Sequence, residues 1–328
     1  MVPTNKKFRW WHFVLIFVFL AAGYVWISGR RLPLPRTLPV PNGYTDFQKA
    51  IAATAGDPKA ARSGPTNELR TYIEKNQEPL RQIRDGLTKQ CQVPVEYTTA
   101  YINNHLPELG GIKALALVLE AEGQLAEKDG RLSDAIKSYL DGIRFSHDVA
   151  RGGLLIDQVL AIACEAIAVK PLNALRSRLA VNDCRLTAKA LEKIELNREK
   201  FATVLTQERI WASHTGGWRY QLFGPIFRRM SQPAIAKTEL KTQFREAHLR
   251  LLMLELALHA YQLEKGQLPQ RLDELVPGFL TAVPPDPFSK NAFIYHPGAG
   301  SFVVYSVGAD GNDDGGTSPA DILADTVN

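Results

Sequence analysis

"AFIYHPGAGSFVVYSVGADGNDDGGTSPADI", residues 292–322, decides how the C-terminal part of this chain folds. Two short apolar runs, "AFIYH" and "SFVVYSV", flank a proline-glycine turn. That pattern predicts an antiparallel hairpin. An acidic, glycine-rich loop follows at once. Its spacing matches the calcium-loop template D-x-[DN]-x-[DN]-G-x5-E through Asp310, Asn312, Asp314 and Gly315, with Asp321 at the closing position. Calcium takes about six to eight oxygens from carboxylates, amides and backbone carbonyls, and glycine relieves the backbone that turns them inward. The closing residue is Asp rather than Glu, one methylene shorter. A strand leads in where an EF-hand has a helix. The expectation is therefore an acidic Ca2+ loop in a β context, held by Asp310, Asn312, Asp314 and Asp321, with Asp313 pointing away into solvent. Magnesium suits it less, because it keeps several waters in a small octahedral site. The alternative is a metal-free Asx-rich turn, for which Asp, Asn and Gly are default residues.

Upstream, "FREAHLRLLMLELALHAYQLEKG" predicts a helix that starts near Thr238 and stops at Gly266. Its apolar face is Leu249, Leu252, Met253, Leu256, Ala260 and Leu263. A short helix from Leu272 follows. The order is long helix, short helix, hairpin and acidic loop, an α+β module.

The landmarks of that order are Tyr261, Gly266, Pro269, Leu275, Asp286 with Phe288, "SVGADG" from Ser306, Gly315 with Gly316, and "ADI" at Ala320 to Ile322. Together they resemble the C-terminal half of the major pseudopilin of type II secretion systems, the protein G family. The resemblance covers roughly a quarter of the chain. It implies a non-enzymatic module of the bacterial cell envelope with a structural calcium in this loop, and Asp310 and Asp321 match its acidic positions. Asn312 and Asp314 rest on spacing alone. The N-terminal segment "KKFRWWHFVLIFVFLAAG" has neither the Gly-Phe processing point nor the early glutamate of that family.

Composition sets the frame. The chain has 328 residues, 45% apolar and 22% charged, ordinary globular material with room for two modest cores. Formal net charge is +5 but uneven. From Leu240 onward six Lys and Arg face eleven Asp and Glu, so that part carries −5 and residues 1–239 carry +10. Lys6, Lys7, Arg9, Arg30, Arg31 and Arg36 flank one apolar segment with no acid among them, which suits phospholipid headgroups. No zinc-finger spacing or RNA-binding aromatic motif is present, so nucleic acid is not an expected partner.

That segment, residues 10–28, contains no formally charged side chain and has aromatic residues near both ends. At about 1.5 Å per residue it spans a hydrocarbon core of roughly 30 Å. An uncleaved single-pass anchor over 1–31 is expected, since no small-x-small cleavage site follows. Cations balance across it, so charge does not set its orientation. "RLPLPRTLPVP" then predicts an extended spacer, and the linker is placed at 32–65.

Residues 66–234 read as an α-helical domain, with the module above occupying 235–328. A helical run over 67–87 is interrupted at Pro79. "GIKALALVLEAEGQLAEKDG" ends at a glycine, Ser133 is a candidate N-cap for the next helix, and "LLIDQVLAIACEAIAVKPLNAL" is apolar all round. Asn182 or Asp183 caps the last. Gly123, Gly130, Ala135, Tyr139 and Gly142 are similar to one tetratricopeptide repeat, with His147 in place of the closing proline and no second copy. A plain helical hairpin explains them equally. "WASHTGGWRYQLFGPIFRRMSQP" breaks the helical pattern. Its aromatics and arginines suit either a membrane-surface loop or a cover for the helical core.

Enzyme motifs are absent: no nucleophile elbow, zincin motif or phosphate loop. His248 and His259 stand three turns apart on one helix, too far to share a metal. Glu120, Glu122, Glu127 and Asp129 read as a solvated face. Cys91, Cys164 and Cys184 do not make a disulfide scaffold, although a Cys164–Cys184 bridge is an alternative to Cys164 as a core residue. The expected protein is a non-enzymatic inner-membrane protein with its bulk outside the cytoplasm. Its partners are the lipid bilayer and envelope proteins near a secretion or pilus-type machine, and no small-molecule substrate is indicated. The alternative is a helical peptide-binding module that the tail merely caps.

Overall fold

The computed structural model describes residues 11–28, 36–298, 300–316 and 320–324. The chain is mostly helical, with one two-stranded antiparallel sheet near the C-terminus. Ten helices are described: α1 (Trp11–Ser28), α2 (Tyr44–Ala53), α3 (Pro58–Ser63), α4 (Thr66–Lys75), α5 (Gln77–Leu87), α6 (Tyr101–Lys128), α7 (Leu132–Asp148), α8 (Leu155–Leu175), α9 (Val181–Leu196) and α10 (Phe201–Lys265). The strands are β1 (Ile294–Pro297) and β2 (Phe302–Tyr305).

α1 lies against α10 and leaves Phe13, Phe17, Phe19 and Leu20 more than half exposed. Among the described residues no helix is long and apolar enough to cross a membrane. The expected anchor begins at residue 10 and so runs partly outside them.

The linker expected over 32–65 is corrected. Residues 44–63 carry α2 and α3, and Tyr44, Phe47, Ala50 and Ala61 are buried. α3 starts by local chemistry: Pro58 takes the first helical position, and the Asp57 side chain accepts the Lys59 N–H at 2.9 Å. The break between α4 and α5 falls at Asn76, not Pro79. The buried Asn76 amide donates to the Ala55 and Tyr72 carbonyls and accepts from the Ala55 N–H. Pro79 sits in the first turn of α5, where its missing N–H has no helical partner to lose.

α6 and α7 form a tight hairpin around Gly130, which adopts φ 75°. A Cβ at Gly123 would run into the Tyr139 ring, so the helices approach only because that position is glycine. Gly142 admits Ala168 of α8 in the same way. Ser133 is not the cap of α7, since the helix already begins at Leu132 with Arg131 before it. Likewise α9 begins at Val181, ahead of Asn182 and Asp183.

Of the four acids expected on a solvated face, Glu120 is buried and Glu122 and Glu127 are half-buried, while Asp129, just past the end of α6, is exposed. Glu120 pairs with Arg62 at 2.5 Å, Glu122 with Arg84, and Asp129 with Arg70 at 2.7 Å. Glu127 accepts from Tyr139 at 2.5 Å. Each acid pins a neighbouring helix to α6. The three cysteines are free and buried, Cys164 in the core around α2, α5 and α6 and Cys184 in the second core, so no Cys164–Cys184 bridge exists.

The aromatic and basic segment does break the helix, at Gly217 (φ 51°, ψ −137°), where the two helices written together as α10 meet. The second helix runs on from there, so no new helix starts near Thr238. Trp211 donates to the Glu96 carbonyl at 3.0 Å, whereas Phe223, Ile226 and Met230 are exposed. Farther on, Leu249, Leu251, Leu252, Leu254, Leu256 and Leu258 are all buried, which no single face of a helix can do. One side meets α8 and α9, the other the sheet. Leu263, expected on the buried face, is half exposed. The second core is therefore shared: Leu172 and Leu191 from the helical region, Leu256 from α10, and Phe293, Val304 and Ile322 from the tail belong to one cluster.

A buried ionic network crosses the same junction. Glu165 of α8 receives Arg198 at 3.3 Å, Arg245 of α10 at 3.2 Å and His147 of α7 at 2.9 Å. Glu195 takes Arg198 at 2.7 Å and Arg250 at 2.8 Å. Burial alone would raise the Glu165 carboxyl, but Arg198 and Arg245 outweigh it and hold it well below the carboxylate range. Burial and the Arg198 charge push Arg245 down to about 10 and His147 down to about 4, so His147 is neutral.

Candidate functional site

The acidic loop hangs from the sheet by a short frame. β1 and β2 pair from Ile294↔Tyr305 to Pro297↔Phe302, and isolated bridges Pro285↔Ala292 and Ser306↔Ile322 extend the ladder. The Ser306–Ile322 bridge, with bonds of 3.0 and 2.9 Å, closes the loop at its base. Gly308 makes that closure possible. It adopts φ 66°, and a side chain there would collide with the Ala320 carbonyl.

Asp286 organises the base from below. Fully buried, it accepts from the Phe288 N–H at 2.9 Å, the Ser306 hydroxyl at 2.8 Å and the Ser289 hydroxyl at 3.2 Å. The sequence marked Asp286 only as a landmark. Its role became visible once the hairpin brought Ser306 beside it.

Asp321 organises the interior. It is 1% exposed, and its Oδ2 accepts the N–H of Asp314 at 3.1 Å and of Gly316 at 2.8 Å. Its Oδ1 is buried without a hydrogen-bond partner among the described residues. An unsatisfied buried carboxylate oxygen is costly in an otherwise well-bonded loop. Asp310, Asn312 and Asp314 are exposed, and the Asp310 side chain accepts the Asn312 N–H at 3.2 Å in an Asx turn.

Asp313 is exposed, as expected, but it is also hydrogen-bonded within the loop. Tyr305 donates to it at 2.7 Å and the Gly315 N–H at 3.0 Å. The Tyr305 bond, then the Gly315 N–H, holds the Asp313 carboxyl below its ordinary value, while burial and Asp313 push Tyr305 up to about 12. The structure thus joins Asp314 and Asp321 through the backbone. Among the described residues no three His, Cys, Asp or Glu side chains gather closely enough to hold a metal ion. The donor set is nonetheless the hard-oxygen kind that calcium takes, and Asp321 Oδ1 is the atom a cation would satisfy.

A long helix with a buried all-round stretch, a hairpin, and a loop closed on a buried aspartate are now in place. Residues 234–325 match the family model of type II secretion system (T2SS) protein G. The match links the tail to type II secretion, a non-catalytic family, and covers just over a quarter of the chain. No curated protein and no solved structure matches the chain. The protein G-like module includes Asp286, Asp310, Asn312, Asp313, Asp314 and Asp321. It also contains Arg245 and Arg250, the two cations of α10 that reach into the buried network.

Proposed function

We propose that this is a membrane-anchored, non-enzymatic protein of the bacterial cell envelope that acts in assembly or interaction beside a type II secretion or pilus-type machine. The observation that carries this reading is the protein G match over 234–325. An anchor over 1–31 in the inner membrane, with the bulk of the chain on the outer side, is part of this reading, and it would place the exposed Phe13, Phe17, Phe19 and Leu20 of α1 against lipid. In this reading Asp310, Asn312, Asp314 and Asp321 hold a structural Ca2+, which supplies the missing partner of Asp321 Oδ1 and cancels the repulsion among three carboxylates. Calcium binding would then add to folding stability. Site-specific photo-crosslinking from the exposed surface of the protein G-like module tests the role. Adducts with pseudopilins or their membrane platform are expected. Adducts confined to unrelated envelope proteins would overturn the reading.

The shared core favours a second reading. Because Leu172, Leu256 and Ile322 lie in one cluster, the tail completes the helical region, as expected of a cap on a peptide-binding module. Both readings make the chain a partner-binding protein.

A further inference from the structure

A cleft of about 830 Å³ opens between residues 37–39, the loop at 89–92, α7 and α9. Its charges do not cancel. Lys89 is already taken by Asp46 at 2.5 Å, and Asp141 by Arg84 at 2.9 Å. That leaves Arg144, Arg151 and Lys193 facing the single carboxylate of Asp148, which lies 3.2 Å from Arg151 and 3.8 Å from Arg144. Lys193 is exposed and makes no ion pair among the described residues. Leu38, Leu140 and Ile194 add an apolar strip beside these cations.

His147 also lines this cleft, and it carries an unmet demand. Its Nε2 lies 2.9 Å from Glu165 Oε2, a carboxylate that can only accept, so Nε2 holds the proton. Nδ1 is then a lone-pair acceptor, and it is buried with no partner. The side chain is 4% exposed. A ligand that satisfies the cleft must bring negative charge for the arginines and a hydrogen for His147 Nδ1. A carboxylate has no hydrogen to give, and inorganic phosphate, which keeps a P–OH at neutral pH, brings nothing for the apolar strip of Leu38, Leu140 and Ile194. A peptide backbone supplies the N–H, its acidic side chains supply the charge, and its apolar side chains fit the strip.

We infer that this cleft binds an acidic peptide segment, with Arg144, Arg151 and Lys193 taking its carboxylates and His147 Nδ1 accepting one of its backbone N–H groups. The inference deepens the interaction role proposed above by naming the chemistry of the partner. His147 also touches Glu165, which holds Arg245, so the occupied cleft lies one side chain away from the network that ties in the protein G-like module.

The test uses the full chain in detergent micelles and a fluorescent, end-blocked octapeptide of alternating Glu and Leu, with its Lys-for-Glu counterpart. Anisotropy at low salt should show at least tenfold tighter binding of the acidic peptide. Lys193→Glu, an exposed change outside every ion pair described, should weaken it about tenfold. The imidazole 15N signal of His147 Nδ1 should move on saturation, a response that a purely structural histidine would not give. Equal binding of both peptides, an unaltered affinity in Lys193→Glu, or a still Nδ1 signal would overturn the inference. So would full competition by millimolar inorganic phosphate, or equal binding of a thymidine octanucleotide. Failure here with the pseudopilin crosslinks intact removes the cleft assignment alone. Failure of both removes the interaction role.

Discussion

Glu165 and Arg245 lie 3.2 Å apart, with side chains 1% and 8% exposed, although one belongs to the helical region and the other to the protein G-like module. Such a pair contributes little net stability when intact, but removing one charge strands the other in a dry interior. Glu165→Gln leaves Arg198 and Arg245 facing each other. It should cost about 3–5 kcal/mol, the range for breaking a buried pair. Calorimetry of the full chain should show one transition, moved down as a unit. Two separate transitions would contradict the shared core.

A second histidine sets a pH dependence of opposite sign. His105 stands between Glu108 at 2.8 Å and Asp157 at 2.7 Å. Burial would lower its pKa, but the bonds to Asp157 and Glu108 prevail and raise it to about 9. The folded state therefore holds the proton more tightly than the unfolded state, whose histidine has a pKa near 6.5. This contribution is complete below about pH 6.5 and fades as pH rises through 9. His147, held near 4, works in reverse: its contribution is complete above about pH 6.5 and is lost as pH falls towards 4. Chemical denaturation between pH 5 and 9.5 should show stability falling at both ends. His105→Gln should flatten only the alkaline limb.

If the loop holds calcium, chelator lowers the melting temperature of the full chain, and calorimetric titration gives heat on adding the ion back. Asp321→Asn should abolish both effects, because it weakens the one buried ligand. A wild-type chain indifferent to chelator, with no calcium heat, would establish the Asx-rich turn instead.

Two glycines give steric tests. Gly308→Ala places a methyl against the Ala320 carbonyl at a positive φ, so the Ser306–Ile322 closure should open and amides around 314–316 should exchange faster. Gly123→Val wedges α6 from Tyr139 and should cost at least about 1–3 kcal/mol, the usual penalty of overpacking.

The tail was the most legible part of the sequence, because its information is local. Short apolar runs around a proline-glycine turn marked both strands, Gly266 marked the end of α10, and the loop's acids stood at fixed offsets. The helical region was legible as helices but not as helix ends, since Asn76 stops α4 through bonds to Ala55, twenty-one residues away in sequence. The same distance hid the function of charges. Glu120 read as solvated because Arg62, its partner, lay in a stretch taken for linker. Glu165 gave no signal at all inside an apolar helix, since its partners come from α7, α10 and the segment after α9. The break in α10 at Gly217 was legible from the paired glycines of the aromatic segment, but the helix that resumes there and runs on to Lys265 was not, since no local signal sets its start.

Asn173 of α8 donates to the carbonyl of Ala324 at 2.9 Å, a bond between residues 151 positions apart. The tail fills the space that α8 and α9 leave open, so this core has no early version of itself. During synthesis α7 to α9 emerge with an apolar wall uncovered and wait for residues 249 to 324 to arrive. At about 5–20 residues per second, the 128 residues from the end of α9 to Ala324 take roughly 6–26 s. A chaperone has that interval in which to act, and it closes when Ala324 meets Asn173.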